Sequence, residues 1–339
     1  MWIPVLLLLL GLVLLIKGGD WFVDGASGIA RRFYLPEILI GATVVSIGTT
    51  LPEVMVSVDA AMMGSGSIAY GNALGSIICN TALIAALTIA IKPGAAARKS
   101  LTLPVVFFFI AAVVYCIAAY VLGTFSRAVG IVLLALFVVY MTATVLQMKK
   151  DGLSVGEELT EAALEEKTGE DYVVESEEKG TKDKLWKDIL FLVIGAAVIA
   201  LGANLLVDNA VVIAQTLGVS EKVIGLTIVA LGTSLPELVT AITALVKGYS
   251  SLSLGNIIGA NLFNLVLVSG AAITINPFAL PQSSTIGGIN ASLILDIPVV
   301  LLVMVILAVP ALIKERISRW QGIVLLGIYG AFLALQFVL

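Results

Sequence analysis

Two glutamates, Glu53 and Glu237, each stand near the middle of a long apolar run, and each follows Gly-Thr-(Thr/Ser)-Leu-Pro. A carboxylate at membrane depth costs about 2.5–3.5 kcal/mol even on insertion scales, so it normally faces a partner or a wet cavity. Pro52 and Pro236 each remove a backbone donor and crowd the preceding turn, which predicts a broken helix with freed carbonyls beside each carboxylate. Freed carbonyls are tolerated at that depth only where they line a cavity or bind something. The sequence adds the hydroxyls of Thr49, Thr50, Thr233 and Ser234 and the amides of Asn80 and Asn264. Every candidate ligand is an oxygen, and the chain has no histidine. Hard cations such as Ca²⁺ and Na⁺ fit this set, whereas zinc or copper would call for nitrogen or sulfur. Two negative charges suit one divalent ion or two monovalent ions at the same place, and such competition is the physical basis of exchange.

The glutamates belong to an internal repeat. Gly41-Ala-Thr-Val-Val-Ser-Ile-Gly-Thr-Thr-Leu-Pro-Glu53 returns 184 residues later as Gly225-Leu-Thr-Ile-Val-Ala-Leu-Gly-Thr-Ser-Leu-Pro-Glu237. The offset holds without a gap for Asp24 and Asp208, Glu37 and Glu221, Gly64 and Gly248, Gly71-Asn72 and Gly255-Asn256, Gly75 and Gly259, and Asn80 and Asn264. Gly71, Gly75, Gly255 and Gly259 are read as packing residues that let a neighbouring helix approach the broken one.

The elements that must carry these residues are membrane spans. Hydrophobic residues make up 60% of the chain, charged residues 12%, and the mean hydropathy is +1.10. A soluble domain carries about 25% charged residues. Apolar runs near the length that crosses a bilayer recur at 2–26, 37–63, 67–91, 101–122, 127–148, 186–214, 222–246, 250–275, 290–313 and 318–338. The expected fold is all-α and integral to the membrane, with about ten helices. Five spans separate matching positions, and an odd number turns the second copy upside down, the inverted-repeat construction of many secondary transporters. The expected division is a first five-helix repeat over 1–148, an acidic cytoplasmic loop over 149–185 and a second five-helix repeat over 186–339. Met1 to Ile16 lacks the basic n-region and cleavage site of a signal peptide and is read as the start of the first span.

With the N-terminus outside, Arg31, Arg32, Lys92, Arg98, Lys99, Lys149, Lys150, Lys184, Lys187, Lys247, Lys314, Arg316 and Arg319 all fall on the cytoplasmic side, against Arg127 and Lys222 opposite. That bias places both termini outside. Thirteen of the 23 acidic residues lie between Asp151 and Asp188, so the net charge of −4 belongs to one segment. It reads as a solvated linker or short helix, without EF-hand spacing. No basic stripe suggests nucleic acid, and Cys79 and Cys116, both in apolar segments, make no disulfide framework. Asp24 and Asp208 are read as capping or interfacial groups, Glu37 and Glu221 as helix-opening acids, Asp59 as peripheral and Cys79 as packing.

Gly-Thr-Thr-Leu-Pro-Glu53 with Gly-Asn-x-x-Gly-Ser76-x-x-x-Asn80, and Gly-Thr-Ser-Leu-Pro-Glu237 with Gly-Asn-x-x-Gly-Ala260-x-x-x-Asn264, resemble the two α-repeats of sodium/calcium exchangers, in particular the short prokaryotic inner-membrane antiporters. The resemblance implies ten helices and alternating access that moves Ca²⁺ against several Na⁺. It places calcium ligands on Glu53, Glu237 and the carbonyls of Thr49 and Thr233. It places sodium ligands on Ser46, Thr49, Thr50, Ser76, Ala230, Thr233 and Ser234, with Ser46 and Ala230 contributing carbonyls and Asn80 lining the centre. Some relatives carry Ser at the place of Ala260 and Asp at that of Asn264, which bears on sodium stoichiometry and makes potassium coupling less expected. The proton-coupled branch typically carries Gly-Asn-x-(Pro/Ala)-Glu where this chain has Gly-Thr-x-Leu-Pro-Glu, which favours sodium. A Ca²⁺/H⁺ exchanger on the same scaffold is the alternative, and a gated channel a third reading. No cofactor and no obligatory protein partner is expected beyond the transported ions and the bilayer. An enzyme is least expected, because nothing pairs a nucleophile with a base.

Overall fold

The computed structural model describes residues 2–33, 35–166, 182–217, 230–282 and 285–338. The readings made for Glu221, Lys222, Gly225 and the rest of the second repeated stretch before Ala230 lie outside these residues, as do acidic residues 167–181. The described chain is built of helices: α1 (Trp2–Arg32), α2 (Glu37–Met62), α3 (Gly66–Ile91), α4 (Arg98–Leu122), α5 (Arg127–Glu166), α6 (Lys182–Thr216), α7 (Ala230–Thr233), α8 (Leu235–Val246), α9 (Ser250–Ile275), α10 (Ser292–Lys314) and α11 (Arg319–Val338). Eight of them, α1–α6, α9 and α10, are long and apolar enough to cross a membrane. The fold is therefore all-α and membrane-integral. Large apolar side chains point outward along them, among them Leu6, Val13, Val113, Val138, Val193 and Leu302, the surface expected of a chain whose solvent is hydrocarbon.

Helix ends differ from the apolar runs. The run at 127–148 continues as helix to Glu166, because the Glu, Ala, Leu and Lys residues that follow are strong helix formers outside the bilayer as well. The first span likewise runs on to Arg32.

Local geometry recurs at the 184-residue offset. Asn80–Ala85 and Asn264–Val268 are both π-helical. Gly64 and Gly248 both turn the chain with positive φ, 76° and 87°. Ala95 bridges Arg316, while Ala279, its counterpart, pairs with Thr124 through the short strands β1 (Thr124–Phe125) and β2 (Phe278–Ala279). A second hairpin joins β3 (Thr285–Ile286) to β4 (Ile289–Asn290).

The expected break before Pro52 is not observed. Helix Ser46–Met62 passes through Pro52, and the irregular turn of α2 is instead the π segment Gly41–Val45. Proline withdraws only its own donor, and the surplus carbonyls of the π turn are taken by side chains: Thr43 Oγ1 donates to Leu39 O at 2.7 Å and Tyr140 Oη to Ala42 O at 2.9 Å. In the second copy the chain does break. Ser234 adopts φ −93°, ψ 8° between α7 and α8, and α8 opens with Pro236 in its first turn.

Glycine sets the closest approaches. On α1, Gly11 and Gly18 recur at seven-residue spacing; a Cβ on Gly11 would fall 2.8 Å from Gly202 O, and one on Gly18 2.8 Å from Ile199 N. The backbones of α1 and α6 thus touch along their length, as small residues permit. Across the centre, a Cβ on Gly259 would meet Ala42 Cα at 2.6 Å, and one on Gly255 would meet the Ile38 carbonyl. Gly71 and Gly75 meet no described residue within 4 Å; the counterparts of Ile38 and Ala42, positions 222 and 226, lie outside the described residues. The packing role expected of four glycines is thus observed for two.

Gly259→Val and Gly18→Val should each lower the melting temperature of the detergent-solubilised protein by several degrees, since overpacking of this kind costs about 1–3 kcal/mol. Gly327→Ala, which has nothing within 4 Å, should leave it unchanged. Thermal melting followed by size-exclusion fluorescence measures both.

Candidate functional site

The residues that could hold a cation come from α2, α3, α7, α8 and α9, which meet one another at their irregular turns. Glu53 and Glu237 are 0% exposed and close enough that each feels the other's charge. Among the described residues none of their four carboxyl oxygens has a hydrogen-bond partner. Buried polar atoms in folded proteins are nearly always paired. Among the described residues the exceptions concentrate here: Thr50 Oγ1, Ser234 Oγ, both amide atoms of Asn80, Asn256 Nδ2 and Asn264 Oδ1 are also buried and unpaired.

The remaining predicted residues divide by how they are held. Ser46 Oγ lies 2.8 Å from Gly41 O, 2.9 Å from Asn256 O and 3.3 Å from Asn256 Oδ1. It has one proton to give, so it closes the π turn or ties α2 to α9. Thr49 Oγ1 donates to Asn256 Oδ1 at 3.3 Å and stands beside the Glu237 carboxyl. Asn264 Nδ2 donates to Ala260 O at 3.0 Å, a bond that an aspartate at this place could not make. Its own carbonyl accepts from Ser269 Oγ at 2.9 Å, just as Gly41 O accepts from Ser46. Ser76 is buried and Thr233 half-buried. Ala230 opens α7.

The structure adds Asn256 and Asn72 to the site. Asn256 is fully buried and joins α9 to α2. Asn72 Nδ2 donates to Glu53 O at 3.1 Å and to Ser57 Oγ at 2.8 Å. The repeated Gly-Asn pair was the signal for both, although only the fold shows what each amide touches. Cys79, read as packing, lies within electrostatic reach of both glutamates, with Tyr329 Oη 4.0 Å from its sulfur. Asp59 is exposed, as its peripheral reading requires, Glu37 opens α2, and Asp24 pairs with Lys247 at an interface.

Among the described residues no group of three or more His, Cys, Asp and Glu side chains could form a metal cage. Two carboxylates amid neutral hydroxyl, amide and carbonyl oxygens match the donor set of a hard cation that must be released as well as bound. Inside an apolar helical bundle, that combination defines a membrane cation transporter.

Comparison with known proteins gives the family. The sodium/calcium exchanger protein model matches residues 3–146 and 187–338, and the chain belongs to that family. It is 34% identical to an uncharacterized membrane protein of Methanocaldococcus jannaschii over 95% of this chain and 94% of the relative. It is 33% identical to the sodium/calcium exchanger MaX1 of Methanosarcina acetivorans over 98% of each chain. Among solved structures, the sodium-calcium exchanger NCX_Mj soaked with 2.5 mM Na⁺ and 10 mM Sr²⁺ aligns with a TM-score of 0.77 at 32% identity, covering 98% of both chains. NCX_Mj soaked with zero Na⁺ and Ca²⁺ aligns at 0.74. The chain is a transporter and not an enzyme.

Because like charges without partners oppose folding in a low-dielectric interior, Glu53→Gln should raise the melting temperature of the protein held in chelator. The expected gain is of order 1 kcal/mol. A lower melting temperature would show that the carboxylate has a stabilising contact within the protein.

Proposed function

We propose that the chain is a secondary active antiporter that exchanges Ca²⁺ for Na⁺ by alternating access, with ions bound between Glu53 and Glu237 near the middle of the membrane. One observation carries this reading: two fully buried carboxylates lie within reach of each other's charge, and among the described residues none of their oxygens has a hydrogen-bond partner. A divalent cation between them replaces that repulsion by attraction. Two or more sodium ions spread over the adjoining hydroxyls do the same, so each species displaces the other.

In this proposal Ca²⁺ is held by Glu53, Glu237 and the carbonyls of Thr49 and Thr233. Sodium is held by Ser46, Thr49, Thr50, Ser76, Ala230, Thr233 and Ser234, with Asn80 and Asn264 at the centre. The unpaired Thr50, Ser234 and Asn80 atoms support these assignments. The Asn264 amide, committed to Ala260 O, presents its carbonyl oxygen as a neutral ligand where an acidic residue would present a charge.

The scaffold we infer has ten spans in two inverted five-helix halves, 1–148 and 186–339, joined by the acidic segment 149–185 on the cytoplasmic side. The π turns, positive-φ glycines and loop bridges that return at the 184-residue offset support it. Both termini lie outside in this reading. A relative 35% identical over 80% of the chain is the inner membrane protein YrbG of Escherichia coli, which supports the same membrane here.

Purified protein in liposomes loaded with sodium should take up Ca²⁺ along the outward sodium gradient, compared with liposomes holding equal sodium on both sides. Glu53→Gln and Glu237→Gln should each reduce uptake to the level of protein-free vesicles. Full uptake by either variant would remove the site. Uptake indifferent to sodium and driven by a pH step would replace sodium with protons as the coupling ion on the same two glutamates.

A further inference from the structure

The two mouths that the repeat predicts are not built alike. At one, α1 lies against α8: a Cβ on Gly19 would fall 2.7 Å from Val239 Cγ1 and 2.8 Å from Thr243 Oγ1. Just past the end of α8, Lys247 closes this contact. Its Nζ lies 2.8 Å from Asp24 Oδ1 and 3.4 Å from Asp20 Oδ1, and donates to Asp20 O at 3.0 Å. Arg31, farther along α1, donates to Tyr249 Oη at 3.2 Å.

The sequence positions 184 residues away describe the opposite mouth, between α6 and α2. There Asn204 stands for Asp20, Met63 for Lys247 and Asp59 for Thr243, while Asp208 matches Asp24. Met55, the counterpart of Val239, is 66% exposed and Met63 is 80% exposed. Asp59 and Asp208 are exposed, and among the described residues no cation pairs with either. A cavity of about 540 Å³ separates Leu192, Ala196 and Ala200 of α6 from Ile47, Leu51 and Met55 of α2. One mouth is shut and ionically tied; at the other no such tie joins the described residues, and α6 and α2 are parted along residues 192–200 and 47–55.

We propose that Lys247 sets the balance between the two faces of the transporter, acting as a latch through Asp20 and Asp24 at the α1–α8 mouth. α1 and α6 are packed backbone to backbone through Gly11, Gly18 and Gly202, so they move as one body, and closing one mouth opens the other. A tie found, among the described residues, at one mouth and not at the other makes the closed state of that mouth the lower in energy. Lys247 touches none of the site residues, so it acts on the conformational equilibrium and not on ion affinity within a given state. This inference rests on the alternating-access reading.

The test is the distance between spin labels at Phe33 and Val246, both exposed, in protein carrying Cys79→Ser and Cys116→Ser. Lys247→Met, which installs the side chain found at the other mouth, should move the ratio of closed to open populations by about three- to fivefold, the size expected from a partly exposed ion pair. Lys247→Arg should retain the native distribution. An unchanged distribution in Lys247→Met, in protein whose distances respond to Ca²⁺ and Na⁺, overturns the latch alone. Distances that ignore both ions in the unsubstituted protein overturn alternation and the latch together.

Discussion

Glu53 and Glu237 are held out of water, within reach of each other's field, and among the described residues their carboxyl oxygens have no hydrogen-bond partner. At low dielectric such a pair is expensive, because each carboxylate has lost its hydration and neither offsets the other. In the proposed function the compensation comes from bound cations. Hydroxyl and amide oxygens are brought to the carboxylates but left uncommitted.

Holding uncommitted polar atoms at membrane depth requires helices that are irregular only there. In α2 the irregularity is a π turn whose carbonyls are answered by Thr43, Ser46 and Tyr140; at the α7–α8 junction it is a true break at Ser234. The same sequence motif produced two backbone solutions. The difference lies in what packs outside the motif. Tyr140 of α5 donates to Ala42. Gly255 and Gly259 bring α9 backbone to backbone with α2, so Asn256 can bond across to Ser46 and Thr49.

That asymmetry is functional material. A perfectly symmetric pair of repeats would have two mouths of equal energy, and the exchanger would rest on neither side. In the proposed latch, differences between matched positions, Lys247 against Met63 and Asp20 against Asn204, separate the two states by small amounts. A transporter needs those amounts small, since an ion can shift the equilibrium only by its differential affinity for the two states.

Much of the molecule was legible in the sequence. Apolar run length set the membrane class, because a backbone in hydrocarbon has no alternative to the helix. The repeat located the carboxylates and their hydroxyl neighbours, because a buried charge flanked by glycine and proline has few structural uses. What the one-dimensional pattern could not decide was which helix faces meet. Asn256 was visible as half of a repeated Gly-Asn pair, but its bonds to α2 depend on a crossing between residues 210 apart. The continuity of α2 through Pro52, the persistence of α5 to Glu166 and the tie from Lys247 to α1 are likewise outcomes of packing and charge between distant segments. Sequence determined the chemistry available to this protein; tertiary structure decided which of those groups are paired and which remain free to bind, since pairing is a property of distances that no local spacing encodes.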